Sequence, residues 1–189
     1  MLSKFLNILK ISDLRNKVLT VAFLLIGFRF LAAIPIPGID IARLQQFLES
    51  NQLLGFLNVF SGGTLSNLSI MMLGVGPYIT ATIIMQLLTM IFPNLKQIYY
   101  EEGAAGRAKF NRISRYATVP LAMLQSYGFL NLLKSKSVLP ALTNLDLLRN
   151  ILVITTGTVI LMWIGELITE KKIGNGTSLI IFAGIVSQI

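Results

Sequence analysis

The stretch from Ile70 to Phe92 carries the side-chain pattern that points most directly to a function. Val75, Ile79 and Ile83 recur at every fourth position, and the whole stretch lacks charged residues. A row of this kind on one face of a helix is typical of ordinary packing or of a lipid-facing surface. It also suits a hydrophobic constriction, which closes a pore by excluding water. The spacing alone leaves both interpretations open.

Catalytic side chains are scarce in this sequence. Cysteine and histidine are both absent, which removes thiolate nucleophiles, histidine bases, disulfides and the commonest transition-metal ligands. No phosphate-binding GxxxxGK[ST] motif occurs either. We therefore expect a protein that is not an enzyme, that needs no cofactor or metal, and that takes any energy it uses from a partner.

The composition indicates a membrane protein. Hydrophobic residues make up 54% of the 189 residues and charged residues 13%, whereas soluble domains average about 45–50% apolar and about 25% charged. The net charge of +8 is better explained by Lys and Arg in cytoplasmic loops than by nucleic-acid binding.

Apolar runs along the chain predict an all-α, polytopic membrane helix bundle. We expect four full spanning helices and the start of a fifth, preceded by a cytoplasmic segment on the membrane surface. The surface segment is 1–17, the full spans are 18–34, 70–92, 116–133 and 151–167, and the fifth span begins at 177–189. Eleven basic residues fall in the predicted inner segments and four in the outer loops, which places the amino terminus in the cytoplasm.

Two apolar runs are too short to cross a bilayer, because a hydrocarbon core of ~30 Å needs about 20 helical residues. Residues 53–65 are expected to form a half-helix that enters the membrane and turns back. Irregular chain at that depth must be buried in protein or must border a cavity. The last run, 177–189, ends short of a full span and predicts that these residues are a fragment of a longer channel or transporter.

Basic residues near the membrane have two interpretations each. Arg29 lies inside the first span, six residues before Pro35; it either extends to the outer interface or is a buried functional charge. The predicted cytoplasmic loop after residue 92 either contacts a partner or only orients the chain. Its basic residues are Arg107, Lys109, Arg112 and Arg115.

Several long motifs strongly resemble the SecY family, the channel subunits of the bacterial protein-secretion translocon. They are "NVFSGGTLSNLSIMMLGVGPYITATIIMQLLT", "GELITEKKIGNGTSLIIFAGIV", "IPIPGID", "EEGAAGRAKFNRISRYAT" and "LMWIGE". The resemblance implies ten spanning helices in two halves, of which 1–189 resembles the amino-terminal half, in the bacterial plasma (inner) membrane. It also implies passage of unfolded polypeptides and release of membrane segments through a lateral gate.

The resemblance assigns roles to individual residues. It implies a pore ring of Val75, Ile79, Thr177 and Ile181, and a lateral gate lined by Ile83, Gln86 and Gln125. It also implies that the half-helix 53–65 is a plug with a hinge, and the residues singled out there are Phe56, Leu57, Phe60, Ser61, Gly62 and Gly63. Thr177 stands where the family commonly has isoleucine, so its hydroxyl group would favour wetting of the ring.

The partners that the resemblance implies are SecE, SecG, and the SecA ATPase or a ribosome, together with signal sequences, nascent membrane segments and the lipid bilayer. The missing second half of the channel is also a partner, and we expect these residues to be inactive without it. One rival class is a small-solute transporter with a broken helix, which usually has charged or strongly polar groups at mid-membrane; another is a structural membrane scaffold.

Overall fold

A computed structural model describes residues 12–36, 58, 64–65, 67–136, 139 and 143–187. The secondary-structure elements of these residues are six α-helices, and they include no β-strand, which confirms the all-α fold class. The helices are α1 (Ser12–Ala32), α2 (Gly76–Ile91), α3 (Pro93–Tyr100), α4 (Gly103–Ser135), α5 (Asn144–Glu170) and α6 (Gly176–Val186).

Helix α5 lies at the centre of the packing. It contacts α1, α2, α4 and α6 and buries apolar residues along most of its 27-residue length. It is also long and apolar enough to cross a membrane, and the bent pair α2–α3 would meet the same test if the two helices form one broken span. The count of four full spans therefore stays a prediction.

Helix α4 packs against α2, α3 and α5 through a row of mostly small side chains. The buried positions recur every four residues and are Gly106, Phe110, Ser114, Thr118, Ala122, Ser126 and Leu130. Small residues in such a row allow neighbouring helix backbones to approach closely. The hydroxyl groups of Ser114 and Thr118 donate to carbonyls one turn earlier, at 3.1 and 2.8 Å, so these buried polar atoms have partners.

The second span differs from the predicted range 70–92. Residues 70–75 form consecutive turns, and the helix starts only at Gly76. Gly74 has φ +57°, a left-handed conformation that interrupts a helix but costs glycine little. At the other end, Phe92 precedes Pro93 and adopts an extended conformation, as residues before proline prefer. Helix α3 then turns away from α2 by 113°.

The predicted basic loop is wrong, because all four of its basic residues lie on helix α4. This helix starts at Gly103, well before the predicted start of the third span at residue 116. Its first turns pack against α3, where a Cβ added at Gly106 would overlap the carbonyl oxygen of Ile98. The rings of Tyr99 and Phe110 also pack together, with their centroids 4.6 Å apart. Because α3 buries one face of these first turns, α4 can begin before the apolar run that starts at residue 116.

The remaining helix ends differ from the predicted spans by smaller amounts. Helix α1 begins at Ser12, inside the predicted surface segment, and α5 extends beyond 151–167 at both ends.

The half-buried Arg29 of α1 donates to the carbonyl oxygen of Ser187, at the end of α6, over 3.4 Å. The predicted plug and hinge residues Phe56, Leu57, Phe60, Ser61, Gly62 and Gly63 lie outside the described residues.

Candidate functional site

The turns that precede helix α2 are irregular backbone at the centre of the protein. Leu68, Ser69 and Met71 are fully buried, and Met72 is nearly so. Short hydrogen bonds within the segment satisfy much of its backbone, including Ser69 N to the Thr64 carbonyl at 3.0 Å and Gly74 N to the Met71 carbonyl at 2.8 Å. The hydroxyl oxygen of Ser69 also accepts from Met71 N at 3.2 Å. Irregular chain is tolerated at membrane depth when it is buried and bonded in this way.

Two contacts hold this turn segment, residues 64–65 and 67–75, in place. On one side it pairs with the chain that leaves α1, where Ile36 N donates to the Leu68 carbonyl at 2.9 Å and Ile70 N donates to the Ile34 carbonyl at 3.1 Å. On the other side it lies directly on α5, where a Cβ added at Gly157 would overlap the carbonyl oxygen of Ile70. The absence of a side chain at Gly157 therefore permits the close approach.

A cavity of about 400 Å³ opens where the turn segment meets α2, α4 and α6. Its lining residues come from parts of the chain that are far apart in sequence. They are Leu65, Met72, Leu73, Gly74, Val75, Gly76, Ile79, Gln125, Phe129 and Ile181. The lining is apolar except for one amide side chain, that of Gln125. Such a surface offers no fixed charge or chelating group to a small ligand, and water is weakly held in it.

The structure brings together three of the four predicted ring residues. Val75, Ile79 and Ile181 all line the cavity, and Gln125 joins them. Val75 is buried, whereas Ile79 is 36% exposed. Thr177 is not among the lining residues; its backbone nitrogen would lie 3.6 Å from a Cβ added at Gly165 on α5, so the first turn of α6 lies close to α5.

The other predicted gate residues lie further along α2, beyond the cavity. Ile83 is 51% exposed, and Gln86 is also exposed. Neither residue lines the cavity. The structure therefore separates the predicted gate into Gln125, which lines the cavity, and two exposed residues that lie further along α2.

Sequence reasoning missed several residues of the cavity. Phe129 follows Gln125 by one helical turn on α4, and this spacing could have identified it. Met72 and Leu73 were assigned to a continuous helix, in which their side chains would point in different directions. Their position in the cavity depends on the turn at Gly74, which the apolar pattern of the sequence does not reveal.

The four basic residues of α4 also have different surroundings. Arg107, Lys109 and Arg112 are exposed, and the Nε atom of Arg107 donates to the Gly103 carbonyl within the same helix at 3.3 Å. Arg115 instead forms an ion pair with Glu166 of α5, with its Nε atom 2.5 Å from Oε1. These four residues are therefore not one uniform surface for a partner.

The helical fold, the apolar composition and the buried irregular segment beside a cavity define a helical membrane protein. The family model described as SecY matches residues 69–189. The chain belongs to the SecY family.

Three relatives illustrate the similarity, and each is named "Protein translocase subunit SecY". The protein from Pyropia yezoensis is 46% identical over 181 residues, which are 94% of this chain and 43% of the relative. The protein from Borreliella burgdorferi is 43% identical over 192 residues, 98% of this chain and 43% of the relative. The protein from Rickettsia bellii is 43% identical over 187 residues, 94% and 42% of the two chains. The chain thus spans less than half the length of these relatives.

Proposed function

We propose that this chain forms part of the channel subunit of a protein translocase and that its cavity borders the path of an unfolded polypeptide. One observation carries the proposal. Val75 and Ile79 on one side and Ile181 on the other are about 100 residues apart in sequence, yet they line one apolar cavity. The names of the relatives give the class of transported substrate, which is protein.

The chemistry of the cavity suits this role. An apolar constriction binds no particular side chain of a moving polypeptide, so it can pass many sequences. The same surface resists ions, because an ion would have to lose its hydration shell without gaining ligands. Thr177 lies one turn before Ile181 but does not line the cavity, so its hydroxyl group is expected to affect wetting of the constriction less than its place in the family motif implies.

The lateral gate belongs to the same proposal. The exposed Ile83 and Gln86 lie on α2 beyond the cavity, while Gln125 on α4 lines it. A segment that leaves the cavity between α2 and the missing half of the channel would pass these residues on its way to lipid. Signal sequences and nascent membrane segments are the substrates proposed for this exit. The half-helix 53–65 is proposed as the plug that closes the outer side.

The complete channel needs further components. We assign the second half of the channel, SecE and SecG to the membrane assembly, and the SecA ATPase or a ribosome to the driving step. The chain is placed in the bacterial plasma membrane with four full spans and with its amino terminus in the cytoplasm. Without the second half it is expected not to transport protein, because one wall of the pore would be absent.

A small-solute transporter is the rival function, and the cavity argues against it. Broken-helix transporters hold ions or substrates with charged or strongly polar groups. Among the described residues, the side chains that line this cavity include a single polar group, the amide of Gln125. An apolar site of this kind favours exclusion of water and ions over selective binding of a solute.

The proposal can be tested with serine substitutions in the full-length channel, reconstituted in vesicles with its partners. Ile79→Ser should increase ion permeability of the resting channel by at least about tenfold, because a hydroxyl group in the constriction favours wetting. Ile84→Ser is the matched control, since Ile84 lies on the same helix, is 39% exposed against 36% for Ile79, and does not line the cavity. Equal permeability of the two variants would contradict the proposal.

A further inference from the structure

Among the described residues, one ion pair joins two different helices and connects the first half of α4 to the last turns of α5. Among the ion pairs found between described residues, Asp13–Lys17 and Asp146–Arg149 each lie within a single helix. Arg115 and Glu166, in contrast, connect α4 to α5, with 2.5 Å between Nε and Oε1. The pair therefore constrains the relative position of two helices, which an ion pair inside one helix does not do.

The carboxylate of this pair has little access to water. The Glu166 side chain is 15% exposed, whereas that of Arg115 is 44% exposed. Glu166 also follows Ile164 and Gly165, which are both buried, and precedes the fully buried Ile168. A carboxylate in such surroundings depends on its partner, because removal of the partner leaves an uncompensated charge.

Helix α2 is close to the same pair. Helix α2 packs against both helices that the pair joins, α4 and α5, and its first turn carries the half-buried Tyr78. Tyr78 directly precedes Ile79, which lines the cavity, and follows Pro77, which is buried in the first turn of α2. A shift of α4 against α5 at the ion pair would therefore displace the first turns of α2, where the constriction begins.

Helix α4 also connects the ion pair to the surface of the protein. Arg112 is exposed and precedes Arg115 by about one turn on the same helix. The 33 residues of α4 extend over roughly 50 Å at 1.5 Å per residue. The helix thus extends from its exposed basic turns, past the ion pair and the interior Pro120, to Gln125 at the cavity.

We infer that Arg115 and Glu166 are positioning residues, which hold α4 against α5 so that the first turns of α2 keep the constriction closed at rest. This inference rests on the proposed function, and it assigns to the pair a role in the width of the pore in addition to bundle stability. Neither residue touches the cavity. Their effect on permeation acts through the placement of α2.

Charge exchange in the full-length reconstituted channel tests the inference. Arg115→Glu and Glu166→Arg each place like charges together and should increase resting ion permeability per folded channel at least about tenfold. The double variant Arg115→Glu/Glu166→Arg restores opposite charges and should return permeability to within about threefold of the unaltered channel. Arg149→Glu is the control, because it places like charges together in the Asp146–Arg149 pair, which lies within α5 alone, and it should leave permeability unchanged.

Folding is measured in parallel by thermal unfolding and by recovery of the assembled complex. If the single variants fail to assemble, the double variant decides: recovered assembly with low permeability supports the inference, and failure to recover overturns it. Single variants that assemble with unaltered permeability also overturn it. Polypeptide transport by the unaltered channel tests the proposed function separately. If the unaltered channel transports no polypeptide, the proposed function is contradicted, whereas the role of the ion pair is not.

Discussion

Single glycine residues decide how closely the turn segment approaches its neighbours. Gly157 lies on α5, where an added Cβ would overlap the carbonyl oxygen of Ile70. Gly128 lies on α4, where no heavy atom would come within 4 Å of an added Cβ. Both residues are helical, so they share the same backbone preference and differ in the space around them. Their comparison isolates the contact between the turn segment and α5.

We expect Gly157→Ala to destabilise the protein by about 1–3 kcal/mol, because the added methyl group must displace backbone and not a flexible side chain. Gly128→Ala should be neutral or should stabilise the protein by up to ~1 kcal/mol, because alanine favours the helical state. Thermal or denaturant unfolding of the full-length chain in detergent micelles measures both changes. Equal effects of the two substitutions would show that the turn segment does not lie on α5 as described.

At the scale of helices, the position of α2 depends on the row of small residues on α4. Helix α2 buries Pro77, Ala81, Met85 and Thr89 at every fourth position, and α4 buries its own row with the same period. Packing of rows with this spacing sets how closely two helices lie. The width of the cavity therefore follows from side-chain volume between these helices as well as from the residues that line it.

A larger side chain in the row should separate the helices. Ala122 is fully buried, and Ala122→Leu is expected to destabilise the bundle by about 1–3 kcal/mol through overpacking. Leu124→Phe is the control, since Leu124 is 68% exposed on the same helix and its enlargement should change stability by less than about 0.5 kcal/mol. Unfolding measurements on both variants make the comparison. Unchanged stability of the Ala122→Leu variant would contradict the close packing of α4.

The sequence predicted the helical fold class and the approximate position of each described apolar helix, because long apolar runs have few alternatives in a membrane. It did not predict that α4 begins at Gly103. The buried positions there include Gly106 and Ser114, which are small and not apolar, so a search for apolar periodicity passed over them. Likewise, a pattern of apolar residues cannot show that Gly74 has a positive φ, which interrupts the helix just before the start of α2.

At the scale of the whole molecule, we propose that the residues around the cavity form one wall of a larger pore. The chain spans about 43% of the length of its relatives from Pyropia yezoensis and Borreliella burgdorferi. The turn segment, α2, α4 and α6 surround the cavity on the sides that these residues supply. The proposed second half would complete the enclosure, and a polypeptide would then pass beside Ile79 and Ile181 in the open channel.

Site-specific cross-linking of a stalled secretory polypeptide in the full-length channel tests this claim most directly. The residues described here contain no cysteine, so in a channel otherwise free of cysteine a single introduced thiol reports one position. We predict that Ile79→Cys and Ile181→Cys form cross-links to a cysteine in the stalled polypeptide. Trp163→Cys, at a position of α5 that is 60% exposed and does not line the cavity, should form none. Cross-links at position 163 without cross-links at 79 or 181 would contradict the proposed path of the polypeptide.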